Sequence, residues 1–128
     1  MCWRTAELGC GRRTIELLPV QTISLATDTI SLASSQAAIV LVTLFNNSGA
    51  ITLTSLPNVV NGAFDGQIAL LRGSGPSTII IQTEGTLPGS GLFLAAAANK
   101  SITQRDVISL LWDQATLKWW QSTTIQAN

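Results

Sequence analysis

The sequence predicts an all-β protein, a compact antiparallel β-sandwich or prism-like module preceded by an extended N-terminal arm. Two observations lead there. The apolar runs are short and carry β-branched or aromatic residues at period two, as in Ala50–Leu56 and Ile108–Trp112. Each run is bounded by Gly, Pro, Asn or Asp, the residues that punctuate strands rather than helices. This patterning predicts roughly seven to nine short strands and no helix longer than about two turns. Residues 1–21 read as the arm and 22–128 as the β-rich module.

The arm differs in composition from the module. It holds three of the seven basic residues, both cysteines and the irregular Gly9–Gly11 break, with Thr14–Leu18 able to make one short strand or helical turn before Pro19. It is not expected to fold on itself. Ordering an irregular segment loses roughly 1–2 kcal/mol of backbone entropy per residue, which extensive contacts with a neighbouring chain would have to offset. Trp3, Ile15, Leu17 and Leu18 are the candidate anchors for such contacts, and Arg4, Arg12 and Arg13 can pair with carboxylates on the partner.

The module's elements come in order. Thr22–Ala26 and Thr29–Ala33 repeat the same five residues around a Thr27–Asp28 turn, so they read as a hairpin or as two rungs of a ribbon. Ala37–Phe45 is continuously apolar, which in a strand means both faces are covered and makes it the candidate central strand. Asn46–Gly49 carries hairpin chemistry and returns the chain into Ala50–Leu56, where Ile51, Leu53 and Ser55 alternate with Thr52, Thr54 and Leu56. Pro57 stops that strand.

Asp65–Gly66 supplies the positive φ of a tight turn before the Gln67–Leu71 strand, and Gly73–Pro76 ends it. Ser77–Thr83 is a further strand, and Glu84–Gly91 is rich in breakers and reads as an exposed loop. Leu92–Leu94 is a short strand, after which the alanines make a turn or a close-packed contact. Asp113–Thr116 closes a hairpin between Ile108–Trp112 and Leu117–Trp120, which brings Trp112 near Leu117 and Trp119.

Catalytic groups are scarce. The chain has no His and no Tyr, and no Ser sits in a Gly-x-Ser-x-Gly elbow. Asp65, Asp106 and Asp113 occupy turns where backbone capping accounts for them, so the chain reads as a non-enzyme. Cys2 and Cys10 alone are too few ligands for a metal site and read as free thiols; no cofactor is expected. Zero net charge without a basic cluster beyond Arg12–Arg13 argues against nucleic acid as a partner. No apolar run reaches the roughly 20 residues of a membrane span, and the start lacks a signal-peptide pattern, so synthesis and assembly are expected in a cytoplasm.

Charged residues make up 11% of the chain against a usual share of about 25%. A monomer this poor in charge has difficulty covering its surface, so part of that surface is expected to be buried against another protein. Trp112, Trp119 and Trp120 could serve as core, as subunit interface or as flat faces for a sugar ring. Trp119 and Trp120 must point to opposite faces of their strand.

Taken in order, Asp65-Gly66-Gln67, Arg72, Asn99-Lys100, Arg105-Asp106, Trp112-Asp113 and Trp119-Trp120 resemble the small β-rich modules of phage virion proteins, especially near the C-termini of tail fibres and tailspikes. The resemblance covers about half of the chain. Arg105 stands where the pattern has Gly, and Gln114 departs likewise, so both turns are expected to differ. It implies a homotrimer and a structural virion role. Its leading form is a capsid cement or decoration protein on the capsid surface, clamping the major capsid protein with its arm, because 128 residues beginning with Met leave no room for a fibre shaft. The alternative is a receptor-binding or trimerisation module of a tail fibre or tailspike that recognises host carbohydrate.

Overall fold

The computed structural model describes residues 15–121. They form ten strands: β1 (Ile15–Leu17), β2 (Gln21–Thr22), β3 (Ile39–Phe45), β4 (Ile51–Thr52), β5 (Ile68–Gly73), β6 (Ile79–Ile81), β7 (Leu92–Phe93), β8 (Lys100–Ile102), β9 (Val107–Asp113) and β10 (Lys118–Gln121). Ala95–Ala97 make a short 3-10 turn, with Ala96 and Ala97 at positive φ. The all-β expectation holds, with one strand more than the upper end of the predicted range.

The antiparallel sandwich does not hold. β1, β2, β3 and β5 run parallel in a seven-stranded sheet ordered β1-β3-β5-β9-β10-β7, and β4 runs parallel to β6 in a small sheet completed by β8. Among the described residues only the pairs β5–β9, β9–β10 and β6–β8 are antiparallel. Ile39 stands beside Ile68, Ile51 beside Ile79, and Ile30 bridges Val59 in parallel, a return of about 28–29 residues, while the first return is shorter, about 24 residues from Ile15 to Ile39. The result is solenoid-like, with successive coils stacked and an antiparallel hairpin closing the C-terminal side.

Corners replace the expected hairpins because buried amide side chains hold the chain as it changes direction. Asn46–Gly49 does not fold β3 back onto β4. Asn46 Nδ2 donates to Gly49 O (2.7 Å) and to Thr78 O (3.2 Å) on the next coil, which steers the chain into the small sheet while β3 keeps its partners β1, β2 and β5. Gln67 Nε2 donates to Ser35 O and Ala37 O, and its Oε1 accepts from Ala63 N. Asn58 Nδ2 donates to Ser55 O while Oδ1 accepts from Gln82 N, and Gln82 Nε2 donates to Leu53 O. Each bond satisfies a backbone group that a corner would otherwise leave unpaired inside the protein.

The repeated pentapeptide also departs from expectation. Its copies form neither a hairpin nor two rungs, but successive sides of one coil. Ile23 and Ile30 are both buried, whereas Leu25 is exposed and Leu32 is buried. The turn between them is as predicted, with Asp28 Oδ2 accepting from Ser24 N and Leu25 N. In the stretch after Gly49 the faces match the alternation: Ile51, Leu53 and Ser55 are buried, and Thr52, Thr54 and Leu56 are exposed.

The core fills the space between the sheets. Val40, Val42 and Leu44 meet Ala69, Leu71, Ile108 and Leu110 from the main sheet, and Leu53, Ile79, Ile81 and Ile102 close it from the small one. Fully burying each such side chain contributes about 1.5–3 kcal/mol. At the hairpin end Trp112 and Trp119 pack edge to face with ring centroids 5.2 Å apart. Gly62 lies against them: a Cβ there would stand 2.4 Å from Trp112 Cγ. Gly62→Ala is therefore expected to lower stability by about 1–3 kcal/mol through overpacking, read as a lower urea midpoint. An unchanged midpoint would show that the loop yields.

Candidate functional site: the outer face of the main sheet

Alternation along each strand sends every second side chain of the main sheet away from the core. Register then aligns these outward residues across strands. One row runs Ile15, Ile39, Ile68, Leu111, Trp120 and Phe93, each beside the next in the ladder. A second runs Leu17, Leu41, Leu70 and Ser109, and a third Thr43, Arg72 and Val107. Ile15 and Leu17 are 61% and 64% exposed, and Trp120 is 45% exposed. Val107, Leu111 and Phe93 are also exposed, while Ile39, Leu41, Ile68 and Leu70 are half-buried by their neighbours.

The face is apolar and nearly without charge. In these three rows Arg72 is the one charged side chain, and its Nε and Nη2 both donate to Thr43 Oγ1. The aromatic end is held in place: Phe93 and Trp120 meet edge to face at 5.2 Å, and Trp120 Nε1 donates to Thr116 Oγ1. Lys118 and Asp113 lie opposite each other beyond that end.

The predicted tryptophans separate as strand geometry requires. Trp119 is core and Trp120 is surface. Trp112 and Trp119 are buried, with their indole N–H groups donating to Gln114 Oε1 and Val60 O, so neither is available to a sugar or to another subunit, a correction to their place among the candidates. The arm needs a correction as well. Ile15–Leu17 and Gln21–Thr22 pair with β3 of their own chain, and Leu18 enters the core. The segment from Ile15 to Gln21 is thus part of the first coil, paired with β3 of its own chain. Ile15 and Leu17 still face outward. Trp3, Arg4, Arg12 and Arg13 lie outside the described residues, as do Cys2 and Cys10.

Asp106 caps the backbone of its own turn as expected, whereas Asp65 reaches across to the backbone of a different turn and Asp113 meets a side chain instead of its turn backbone. Asp65 Oδ1 accepts from Gln114 N, and Asp113 Oδ2 accepts from Thr116 Oγ1. The Thr103 hydroxyl and then the Thr103 N–H hold the exposed Asp106 carboxyl below the usual carboxylate range. Both atypical turns use positive φ without glycine, at Arg105 (φ 76) and Leu117 (φ 56). The loop at Glu84–Gly91 is exposed at its tip and closed on itself, with Glu84 accepting from Gly89 N and Gly91 N.

The residues missed in sequence were Ile39, Leu41, Ile68, Leu70, Phe93, Val107 and Leu111. Their signal is the recurrence of Ile-x-Leu at 15–17, 39–41 and 68–70, which becomes visible only once the coil spacing is known. Among the described residues, no three His, Cys, Asp or Glu side chains gather as metal ligands, and no helix is long and apolar enough to cross a membrane. The chain matches no protein-family model, no curated protein and no solved structure.

Proposed function

We propose that this chain is a non-catalytic structural protein of a phage virion that works as a homotrimer, each copy turning the outer face of its main sheet toward the others. The observation that carries the assembly is the in-register row from Ile15 to Phe93, an apolar band across the whole sheet of a chain with few charges to cover it. The virion setting and the number three come from the resemblance carried by Asp65-Gly66-Gln67, Asn99-Lys100 and Trp112-Asp113. A place on the capsid as a decoration protein leaves the small sheet and the loops free to meet the shell.

Sedimentation equilibrium of the full chain at micromolar concentration tests the assembly: a mass of three chains supports it and a mass of one overturns it. Labelled copies incorporated into particles test the setting. Label spread over the shell supports decoration, whereas label confined to the tail moves the protein to a fibre.

A further inference from the structure

At the aromatic end of the outer face, a groove of about 360 Å³ is lined by Asp65, Gly66, Leu111, Trp112, Asp113 and Trp120. We infer that this groove binds a neutral pyranose ring, with Trp120 as the stacking platform and Asp65 and Asp113 as the hydroxyl acceptors. A sugar ring presents an apolar C–H face and a rim of hydroxyl donors. It is recognised by a fixed aromatic plane with acceptors set beside it.

The platform is fixed from two sides. Thr116 Oγ1 takes the Trp120 indole N–H at 3.2 Å, and Phe93 meets the ring at an interplanar angle of 83°. Holding the indole in advance removes the entropy loss that an unrestrained side chain would suffer on binding. The acceptors are likewise held by one oxygen each. Asp65 uses Oδ1 for Gln114 N and Asp113 uses Oδ2 for Thr116 Oγ1, which leaves Asp65 Oδ2 and Asp113 Oδ1 without a partner among the described residues. Lys118, opposite Asp113, directs its ammonium to Thr116 O at 3.5 Å instead of neutralising the carboxylate.

The floor is open. Gly66 sits at φ +88 with nothing within 4 Å of the position a Cβ would take, so a ring can approach the backbone there. Two carboxylates favour hydroxyl donors and repel acidic sugars, and this selects neutral hexoses or N-acetylhexosamines over uronates. The inference shares Leu111, Trp120 and Phe93 with the row that carries the assembly reading, so it requires that the trimer leave this end of the row open while it closes over the centre at Leu41 and Leu70.

The test titrates the full chain with oligosaccharides of glucose, galactose and N-acetylglucosamine, with oligogalacturonate as the charged counter-probe, following indole fluorescence and calorimetric heat. One neutral series should give saturable binding. That binding should be lost in Trp120→Ala and weakened at least about tenfold in Asp113→Asn, which keeps an oxygen for Thr116, while the near-ultraviolet signal of the buried Trp112–Trp119 pair persists. The inference is overturned if no neutral series saturates, if binding survives Trp120→Ala, or if oligogalacturonate binds as well. A sedimenting mass of three chains with no sugar binding would remove this inference and leave the trimer in place.

Discussion

Replacing Asn58 with alanine is expected to destabilise the fold by roughly 2–6 kcal/mol, since it leaves two buried backbone groups unpaired at about 1–3 kcal/mol each. Domains of ordinary size are held by only about 5–15 kcal/mol. Asn58 is 0% exposed, and its amide satisfies Ser55 O on its own coil and Gln82 N on the next. Its backbone N–H donates to Ser90 O and its carbonyl accepts from Ile30 N, so this position ties three coils together. Asn58→Asp adds a check on sign. Burial raises the new carboxyl's folded pKa above its unfolded value, so stability should be better preserved below about pH 3.9 and lost as pH rises. The protonated acid can still donate to Ser55 O; the carboxylate cannot. Urea midpoints at two pH values measure both effects, and midpoints equal to that of the native sequence would show that water replaces the amide.

What could be read from the sequence was local. The Asp65–Gly66 turn, the strand after it, the Trp112–Trp119 hairpin and the faces of Ile51–Leu56 all derive from turn chemistry and alternation within a few residues. The parallel coils could not be read that way, because Ile39 finds its partner at Ile68 and nothing between them marks the return. Asn46–Gly49 shows the ambiguity most clearly. Its residues suit a hairpin, yet Asn46 spends its amide on Thr78, a contact that exists only after the next coil is laid down. The same distance effect hid the partner of β1: Thr14–Leu18 reads as one short strand or helical turn, but it lacks a nearby strand and so resembles an arm until β3 is placed beside it.

If the native chain assembles as proposed, a chain carrying Leu41→Glu and Leu70→Glu should sediment as a monomer at the concentrations where the native chain sediments as three. Leu41 and Leu70 are outward neighbours on β3 and β5, near the centre of the apolar face. In a trimer formed through that face each carboxylate would be desolvated without a partner, at an effective penalty of several kcal/mol per ion. In the monomer both side chains reach water. The fold should therefore survive, with a change on the order of 1 kcal/mol from the weaker strand preference of Glu. A double variant that keeps the trimeric mass would show that this face stays open in the assembly. One that loses its strand signal in circular dichroism would show that these two positions belong to the interior.

The spacing of the coils also sets a unit in which the protein can change length. Because Ile39 and Ile68 occupy equivalent places, a tandem copy of residues 39–67 would supply one more strand beside β3, one more in the small sheet, a further set of the corners at Asn46, Asn58 and Gln67, and one more set of the outward residues Ile39, Leu41 and Thr43, all in phase with the existing rows. An added residue inside β3 would instead exchange its inner and outer faces beyond that point. The duplicated chain should thus melt higher and the chain with one residue inserted after Val42 should not fold; equal melting temperatures for the two would contradict this. Growth of this kind has a direction, since β9 runs opposite to β5 and offers no parallel edge. Lineages built on this plan would lengthen by whole turns, added on the β1 side of the reversal.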